Sequence, residues 1–434
     1  MRFSAGEVAK AVGGTLVGPD VTVDGASIDN RTLVEGQLFV PIVDERDGHD
    51  FIDPQQGPYL TARPAQGGTA IEVADTQAAL TSLGAHARRK LGDPVIGITG
   101  SVGKTTVKDL LASILRQRFV TAASEKSFNN ELGVPLTLAN APDDTQVAVI
   151  EMGARGIGHI ADLCAIARPT IGVVTAVGAV HTEVFGSIDD VARGKGELVE
   201  ALPERGTAVL NGDDHRVAGM AGRTSARVLL YGTDGNVQAH EAHLDDELRA
   251  RFVLSSPWGD AEVRLGVAGA HQVGNALAAA TAALAAGATL DDVCAGLAVA
   301  ELSPWRMALG TTPTGARVLN DAYNANPIST RAALESIVAL GGERRIAFLG
   351  TMAELDDPQA AHAEIAGVAQ SLGVRVISVG EPRYGVEDEV ATVDDAIDLA
   401  QSLGLGGGDV VLVKGSRVAG LELLASALLD LDEG

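Results

Sequence analysis

Short apolar segments rich in β-branched residues recur through the middle of the chain, and each ends in a glycine or a polar residue before a helix-like stretch. These segments are Val95 to Gly100, Val147 to Gly153, Ile171 to Gly178 and Thr207 to Asp214. Strands that alternate with helices predict a parallel sheet covered on both faces. Because ligands of such sheets bind beyond the carboxyl ends of the strands, the residues that end each segment are the candidates for chemistry.

The same pattern returns after a Ser-Pro step at Ser303 and Pro304, in Arg345 to Thr351, Val374 to Gly380 and Asp409 to Ser416. Shorter strand-like stretches separated by turns precede residue 88. We therefore predict an α/β protein of three domains. They are a small N-terminal α/β domain at 1–88, a central parallel-sheet domain at 89–303 and a Rossmann-like C-terminal domain at 304–434, with a hinge at the Ser-Pro step.

Residues 228–266 differ from their surroundings, because apolar and polar positions alternate there. This alternation predicts β-hairpins inserted into the central domain.

Composition narrows the class of protein. The 434 residues are 46% hydrophobic and 21% charged, which is typical of a globular chain. Lys and Arg number 33 against 57 Asp and Glu, so the net charge of −24 argues against binding to nucleic acid or to an anionic membrane surface. Cys164 and Cys294 are the only cysteines, which favours a reducing cytoplasm over a disulfide or zinc framework. The most apolar segment, Ala276 to Leu290, is too short to span a bilayer, and the N-terminus lacks a secretory signal pattern. We expect a cytoplasmic protein without a membrane span.

The first central segment runs into a glycine-containing loop, TGSVGKTT, that opens a helix-like stretch. Its candidate nucleotide-binding residues are Gly100, Ser101, Gly103, Lys104, Thr105 and Thr106. Glycines let backbone N–H groups surround phosphate oxygens, and the helix N-terminus adds partial positive charge. Lys104 can reach the terminal phosphates, and a threonine hydroxyl can bind Mg²⁺. Position 98 is Ile, so the loop is a shortened variant of the Walker pattern. The alternative, a tight turn without a ligand, gives the Gly-Lys-Thr-Thr run no packing role.

This loop resembles the Mur ligase family, the ATP-dependent enzymes that add amino acids to the cell-wall precursor. Three further runs carry the resemblance: SFNNELGVPLT from Ser127, EMGAR from Glu151 and NDAYNANP from Asn320. The last run is the most discriminating, and it is similar to the family branch that adds D-alanyl-D-alanine to UDP-N-acetylmuramoyl-tripeptide. The resemblance covers essentially the whole chain, from Asp29 to Arg417.

The resemblance implies a ligase of cytoplasmic peptidoglycan precursor synthesis, acting as a monomer with ATP and Mg²⁺. ATP would convert the peptide carboxylate to an acyl phosphate, which the amine of D-alanyl-D-alanine attacks. The N-terminal domain would bind the UDP-sugar, the central domain ATP, and the C-terminal domain would complete the ligase site.

The resemblance also implies a metal and catalytic set. The loop pattern itself offers Thr105 or Thr106 as a Mg²⁺ ligand, and Thr105 is the one assigned to the metal set. The family places further Mg²⁺ ligands at the positions of Glu151 and His181, and a carbamylated lysine at that of Lys195. The predicted catalytic group consists of Lys104, Glu151, His181 and Lys195. Taken without the family, a solvated loop residue is the less favoured reading of the glutamate, whereas a structural residue is the favoured reading of the histidine. Lys195 then reads as an ordinary surface lysine.

Further binding residues follow from the same resemblance. Asn275 would contact the adenine, Arg306 a phosphate and Asp321 the ribose, with Asn324 beside them. Without the family, Asn275 reads as a polar residue at a helix N-terminus and the other three as interdomain hydrogen-bonding groups.

The substrate residues are predicted on all three domains. The implied residues are Ser27, Asn30 and Arg31 for the UDP-sugar diphosphate, Asn129 and Asn130 for the nucleotide-peptide, and Lys414 and Ser416 for the dipeptide or the peptide carboxylate. A turn is the alternative explanation for Asn129 and Asn130.

Other function classes stay open from the sequence. A sister ligase would add an amino acid to folate or to an earlier wall precursor, although the run from Tyr323 to Asn326 opposes it. A P-loop kinase would phosphorylate its acceptor and need no amine. A non-catalytic nucleotide-binding subunit would leave the joint presence of Glu151, His181 and Lys195 unexplained.

Overall fold

A computed structural model gives the fold of residues 1–125, 128–178 and 185–429. Over these residues, helices alternate with the strands of largely parallel sheets, which confirms the predicted α/β class. None of the helices in these ranges combines the length and the apolar character that crossing a lipid bilayer requires.

The N-terminal segment forms a small sheet in the order β2-β7-β6-β5-β4, and strands β1 and β3 pair beside it. Its elements are β1 (Arg2–Ser4), α1 (Ala5–Val12), β2 (Thr15–Val17), β3 (Thr22–Asp24), β4 (Ala26–Ser27), β5 (Leu38–Phe39), β6 (Tyr59–Thr61), β7 (Ala70–Glu72) and α2 (Thr76–Lys90). Helix α2 passes residue 88, and Arg88 Nε donates to the Ala167 carbonyl at 2.7 Å. The predicted boundary at 88 therefore falls in a helical turn that packs on the next part of the chain, and the division into domains stays a prediction.

The central segment is built on a parallel sheet in the order β13-β12-β11-β8-β10-β9. Its strands are β8 (Val95–Thr99), β9 (Thr121–Ala123), β10 (Val147–Glu151), β11 (Ile171–Val174), β12 (Thr207–Asn211) and β13 (Arg227–Tyr231). Its helices are α3 (Lys104–Leu115), α4 (Gly133–Ala139), α5 (His159–Ala167), α6 (Ile188–Glu200), α7 (His215–Gly219), α8 (Gln272–Ala285) and α9 (Leu290–Ala298).

Both faces of this sheet are buried, which explains the unbroken apolar runs of its strands. Ala148 and Ile150 of β10 pack in one core, whereas Val147 and Val149 of the same strand pack in the other. Helix α8 contains most of the alanine-rich segment from Ala276 to Leu290 and is buried in the second core. This segment, which is too short to span a bilayer, therefore packs inside the protein.

The inserted β structure begins later than the sequence predicts. Strands β14 (Gln238–Leu244), β15 (Arg249–Ser256) and β16 (Gly259–Ala268) form an antiparallel sheet. The prediction that it starts at residue 228 is wrong, because β13 is the edge strand of the central parallel sheet and pairs with β12. An edge strand alternates in burial much as a hairpin strand does.

The C-terminal segment is a second α/β sheet in the order β17-β18-β22-β19-β20-β21, parallel except for the β17-β18 pair. Its elements are β17 (Ala308–Thr311), β18 (Arg317–Asn320), α10 (Pro327–Ala339), β19 (Arg344–Leu349), α11 (Pro358–Ser371), β20 (Arg375–Val379), β21 (Glu389–Val390), α12 (Val393–Ser402), β22 (Asp409–Lys414) and α13 (Glu422–Leu429). Separate apolar cores lie on its two faces.

The predicted hinge contacts the central segment directly. The Ser303 amide and hydroxyl both donate to Asp109 Oδ2 at 2.8 Å. Because Asp109 belongs to α3, the start of the C-terminal segment is held on the helix that follows the glycine-containing loop.

Candidate active site

The glycine-containing loop joins the end of β8 to the start of α3 and requires glycine at two positions. Gly103 has a φ of +83°, a left-handed conformation that favours glycine, and it immediately precedes the helix. At Gly100 a Cβ atom would overlap the Thr175 hydroxyl. The loop backbone can therefore approach a phosphate group closely, at the positive end of the helix dipole.

We expect the variant Gly100→Ala to unfold at a lower temperature and to bind ADP more weakly than the native chain. The new methyl group must displace the Thr175 side chain or the loop backbone, at a cost of about 2 kcal/mol. Calorimetric titration with ADP and thermal unfolding measure both effects. Gly219→Ala is the matched control, since no atom lies within 4 Å of its added Cβ, and equal behaviour of the two variants would contradict the tight fit at Gly100.

Lys104 closes the loop with its own side chain. Its Nζ donates to the Gly100 carbonyl at 2.7 Å. The atoms around it displace water and lower the pKa of its ammonium, while Glu151 opposes this shift and Arg306 adds to it. The amine therefore lies at the loop, where a terminal phosphate would replace a carbonyl as its partner.

Glu151 ends strand β10 as a buried carboxylate, 1% exposed. Its Oε1 accepts a hydrogen bond from Asn129 Nδ2 at 2.8 Å. Among the described residues no donor reaches its Oε2, which is also buried. A buried carboxylate oxygen without a donor is costly unless a cation satisfies it, so this side chain fits a Mg²⁺ ligand.

The structure brings together only part of the predicted set of metal ligands. The part of the chain that the structure describes contains no group of three or more His, Cys, Asp or Glu side chains able to hold a metal ion. His181 lies outside the described residues. A cation at Glu151 would therefore draw on Thr105 and Lys195 as well.

Lys195 lies on α6 and is 2% exposed, which is not the ordinary surface lysine that the sequence allows. Burial lowers the pKa of its amine well below the usual value, and the charge of Lys104 lowers it further. A buried amine that has lost its proton is nucleophilic enough to add CO₂, so its environment fits the predicted carbamylation.

Arg306 reaches the site from the C-terminal segment. Its Nη2 donates to Thr105 Oγ1 at 3.1 Å, and its guanidinium lies over the Tyr323 ring at 4.2 Å. The neighbours Trp305 and Met307 both have positive φ, +59° and +50°. This conformation is unfavourable for residues that carry a side chain. The backbone on both sides of Arg306 is therefore strained at the point from which Arg306 reaches the glycine-containing loop.

Asp321 and Lys414 form a buried ion pair across the ends of β18 and β22. The lysine amine also donates to the Asn324 carbonyl at 2.9 Å. Ser416 accepts from the Ala353 amide at 2.9 Å. Lys414 and Ser416 are thus engaged by the protein itself, and any contact with a substrate would add to these bonds.

Asn275 faces the glycine-containing loop from α8. Its Nδ2 donates to Gln272 Oε1 at 2.8 Å, and a Cβ at Gly103 would lie 2.6 Å from its Oδ1. The glutamine therefore orients the amide that the family resemblance assigns to adenine.

A single cleft of about 820 Å³ gathers these groups from the central and C-terminal segments. The predicted site residues that line it are Ser101, Gly103, Lys104, Thr105, Thr106, Asn129, Asn130, Glu151, Lys195, Asn275, Arg306, Asp321, Asn324, Lys414 and Ser416. Gly100 is buried and does not line the cleft.

Comparison with known proteins identifies the family. Residues 98–283 match the Mur ligase middle domain, and residues 305–417 match the Mur ligase glutamate ligase domain. A UDP-N-acetylmuramoyl-tripeptide--D-alanyl-D-alanine ligase from Mycobacterium bovis is 38% identical, over 99% of this chain and 98% of the relative. The chain belongs to the Mur ligase family.

Solved structures agree over the full length of this Mur ligase. The crystal structure of MurF from Acinetobacter baumannii has a TM-score of 0.89 and 29% identity, covering 99% of both chains. The MurF ligase from Thermotoga maritima in complex with ADP has a TM-score of 0.83 and 26% identity, covering 94% of this chain and 97% of that one.

The residues predicted for the UDP-sugar in this Mur ligase do not line the cleft. Arg31 is held by Asp29, with Nη2 to Oδ2 at 2.7 Å, and this pairing lowers the pKa of the Asp29 carboxyl to about 2. Asn30 Nδ2 donates to the Phe51 carbonyl at 3.4 Å, and Ser27 donates to the Asp29 carbonyl at 3.1 Å. These side chains form a separate polar surface on the N-terminal segment.

Asn130 has a structural role in the chain turn, which is the alternative explanation that the sequence offers for this residue. Its Oδ1 accepts from the amides of Leu132 and Gly133, at 3.3 and 2.9 Å, at the start of α4. Asn129 contacts Glu151 instead, so its local effect is to orient a metal-type carboxylate.

Several cleft residues of this Mur ligase were not predicted from the sequence. They include Arg155, His159, His271, Tyr323, Asn326, Glu354 and Arg417. His271 immediately precedes α8, four residues before Asn275. The signal that could have found Glu354 is its place after strand β19, the same rule that selected the residues after β8 and β10.

Proposed function

We infer that this Mur ligase is an ATP-dependent ligase that adds D-alanyl-D-alanine to UDP-N-acetylmuramoyl-tripeptide through an acyl phosphate. The observation that carries the inference is the cleft itself, which faces the glycine-containing loop with Glu151 on one side and Arg306 and Asp321 on the other. The curated relatives from Mycobacterium bovis and Escherichia coli bear the name of this ligase, and the second is 34% identical over 97% of both chains.

The first step transfers the γ-phosphoryl group of ATP to the tripeptide. A carboxylate oxygen attacks the γ-phosphorus, the bond to the β,γ-bridging oxygen breaks, and ADP leaves with that electron pair. Such a transfer depends mainly on positioning and on neutralising charge. Lys104 and the loop amides would hold the phosphates, and Arg306 would bring a second cation across from the C-terminal segment.

The second step forms the amide bond. The neutral amine of D-alanyl-D-alanine attacks the carbonyl carbon, and the carbon–oxygen bond to phosphate breaks. Of the three N–H protons of the free ammonium, one leaves before the attack, one leaves after it, and one stays on the amide. The acyl phosphate would hydrolyse in open water, so a closed cleft protects it. The bonds from Arg306 to Thr105 and from Ser303 to Asp109 hold the two segments together around it.

We propose Mg²⁺ as the metal of this site. Glu151, Thr105 and carbamylated Lys195 would hold it, with His181 as a further ligand. Such a cation supplies Lewis-acid neutralisation of phosphate charge. Asn129 fixes one oxygen of Glu151 and leaves the other directed into a site without a donor.

We also propose that the enzyme acts as a monomer in the cytoplasm. The residues gathered in the cleft come from one chain, and both cysteines are free thiols.

A phosphate-release assay with ATP, Mg²⁺, UDP-N-acetylmuramoyl-tripeptide and D-alanyl-D-alanine tests the function. We expect phosphate and a new amide only when all four are present, with the product identified by mass spectrometry. A kinase would give ADP and a phosphorylated acceptor without the dipeptide. No turnover in any mixture would favour a nucleotide-binding subunit, and faster turnover with another amino acid would favour a sister ligase.

A further inference from the structure

The loop that follows strand β19 forms part of the cleft wall in the C-terminal segment. Ala353 and Glu354 of this loop line the same cleft as Lys104. The loop lies at the carboxyl end of a parallel strand, the position at which ligands of such sheets bind.

Hydrogen bonds fix this loop at successive residues. The Tyr384 hydroxyl donates to the Gly350 carbonyl at 3.0 Å, and the Ser416 amide donates to the Thr351 carbonyl at 2.8 Å. The Met352 amide donates to Nε2 of the buried His362 at 2.9 Å. Rigid support of this kind is what a precisely placed binding group needs.

Glu354 itself has an unfavourable backbone conformation. Its φ is +63°, in the left-handed region that a residue with a branched or long side chain rarely occupies, at a cost of about 1 kcal/mol. The buried residues Met352 and Leu355 anchor the chain on either side of it. The loop therefore holds a carboxylate in a fixed place at a conformational cost. Glycine at this position would adopt the same backbone conformation without that cost, so the glutamate side chain is expected to have a function.

Three other carboxylates of the cleft, which Glu131 also lines, contact neighbouring protein groups. Glu151 is bound by Asn129, and Asp321 is paired with Lys414. Asp213 accepts from the Thr233 amide at 2.8 Å. Glu354 lies on the C-terminal wall of the cleft that Lys104 also lines, and its negative charge acts to raise the pKa of the Lys104 ammonium.

The same wall offers chemistry that matches a small zwitterionic dipeptide. Ile328 and Val418 line it and are 48% and 81% exposed, which leaves apolar side chains available to methyl groups. Arg417 also lines it, with its guanidinium 4.2 Å from the centre of the Trp305 ring and in an ion pair with Glu422. An anion, apolar side chains and a cation together correspond to the ammonium, methyl groups and carboxylate of D-alanyl-D-alanine.

We propose that Glu354 binds the ammonium group of the incoming dipeptide and directs its nitrogen at the acyl phosphate. This inference rests on the proposed function and adds the residue that recognises the acceptor. The carboxylate accepts a charge-assisted hydrogen bond from the ammonium, and after that group has lost one proton to water the carboxylate still accepts from the neutral amine. The strained loop sets the direction from which the amine approaches.

The variant Glu354→Gln tests the proposal in steady-state kinetics with all four reactants. We expect the KM for D-alanyl-D-alanine to rise about 30-fold, the size of one charge-assisted hydrogen bond, and the KM for ATP to stay unchanged. Asp356→Asn is the matched control, because it removes a charge from the same loop at a residue that does not line the cleft. An unchanged KM for the dipeptide, or an equal rise in the KM for ATP, would overturn the proposal.

Two further measurements separate recognition of the amine from a structural effect. D-lactyl-D-alanine has a hydroxyl in place of the ammonium, and we expect the native enzyme to bind it more weakly than D-alanyl-D-alanine, as measured by inhibition. In Glu354→Gln this preference should disappear; a preference that persists would overturn the proposal. In Glu354→Gly the left-handed strain is relieved, so Tm should not fall while the KM for the dipeptide still rises. A native enzyme that forms no amide in any mixture would refute the proposed function itself.

Discussion

Replacing Lys104 with methionine should lower kcat for amide formation by about three orders of magnitude. At roughly 4 Å and an effective dielectric constant of about 20, one pair of unit charges contributes about 4 kcal/mol, which corresponds to that loss in rate. The structure supports a full effect, since the amine already lies at the loop, bound to the Gly100 carbonyl. The phosphate-release assay at saturating substrates measures it.

Lys10→Met is the control for this prediction, because Lys10 is an exposed residue of α1 far from the cleft in the sequence. Both variants should unfold at the native temperature. A Lys104→Met enzyme that keeps a tenth or so of native kcat would show that the loop amides and Arg306 neutralise the phosphates without the lysine.

Replacing Lys195 with alanine should nearly abolish activity, and short carboxylic acids should restore part of it. Carbamylation adds CO₂ to the neutral amine, forms an N–C bond and releases a proton, so a buried neutral group becomes an anion. Removal of a metal ligand of this kind lowers activity by about a hundredfold or more. Acetate or propionate can enter the space left by the lysine and supply the missing carboxylate.

Sodium chloride at the same ionic strength is the control for that rescue, and Lys104→Met should gain nothing from acetate. Native mass spectrometry tests the modification directly. The mass of the intact native protein in bicarbonate should increase by that of one CO₂, and the mass of Lys195→Ala should not. Full activity of Lys195→Ala, or equal recovery in chloride, would remove the proposed role.

The parallel strands could be predicted from the sequence because their burial is simple. Both faces of the central sheet are covered, so a strand such as Val95–Thr99 is a continuous apolar run that is easy to recognise. The sequence pattern assigns the edge strand Arg227–Tyr231 to the wrong sheet, since its partner strand is decided by residues that are distant in the sequence.

The site residues that could be predicted from the sequence are those at or just after the end of a parallel strand, such as Glu151 and Lys104. The site was not predictable where tertiary contacts impose the geometry. The left-handed conformation of Glu354 depends on bonds made by the neighbouring loop residues to His362 and Ser416. The pairing of Lys414 with Asp321 joins residues on two different strands, and no local pattern announces it.

The attachment of Ser303 to Asp109 couples nucleotide affinity to the orientation of the C-terminal sheet. It fastens the start of the segment that carries Arg306 and Asp321 to α3, the helix that follows the phosphate loop. Loosening that fastening should therefore broaden the range of lobe angles, slow turnover and weaken the binding of ADP together.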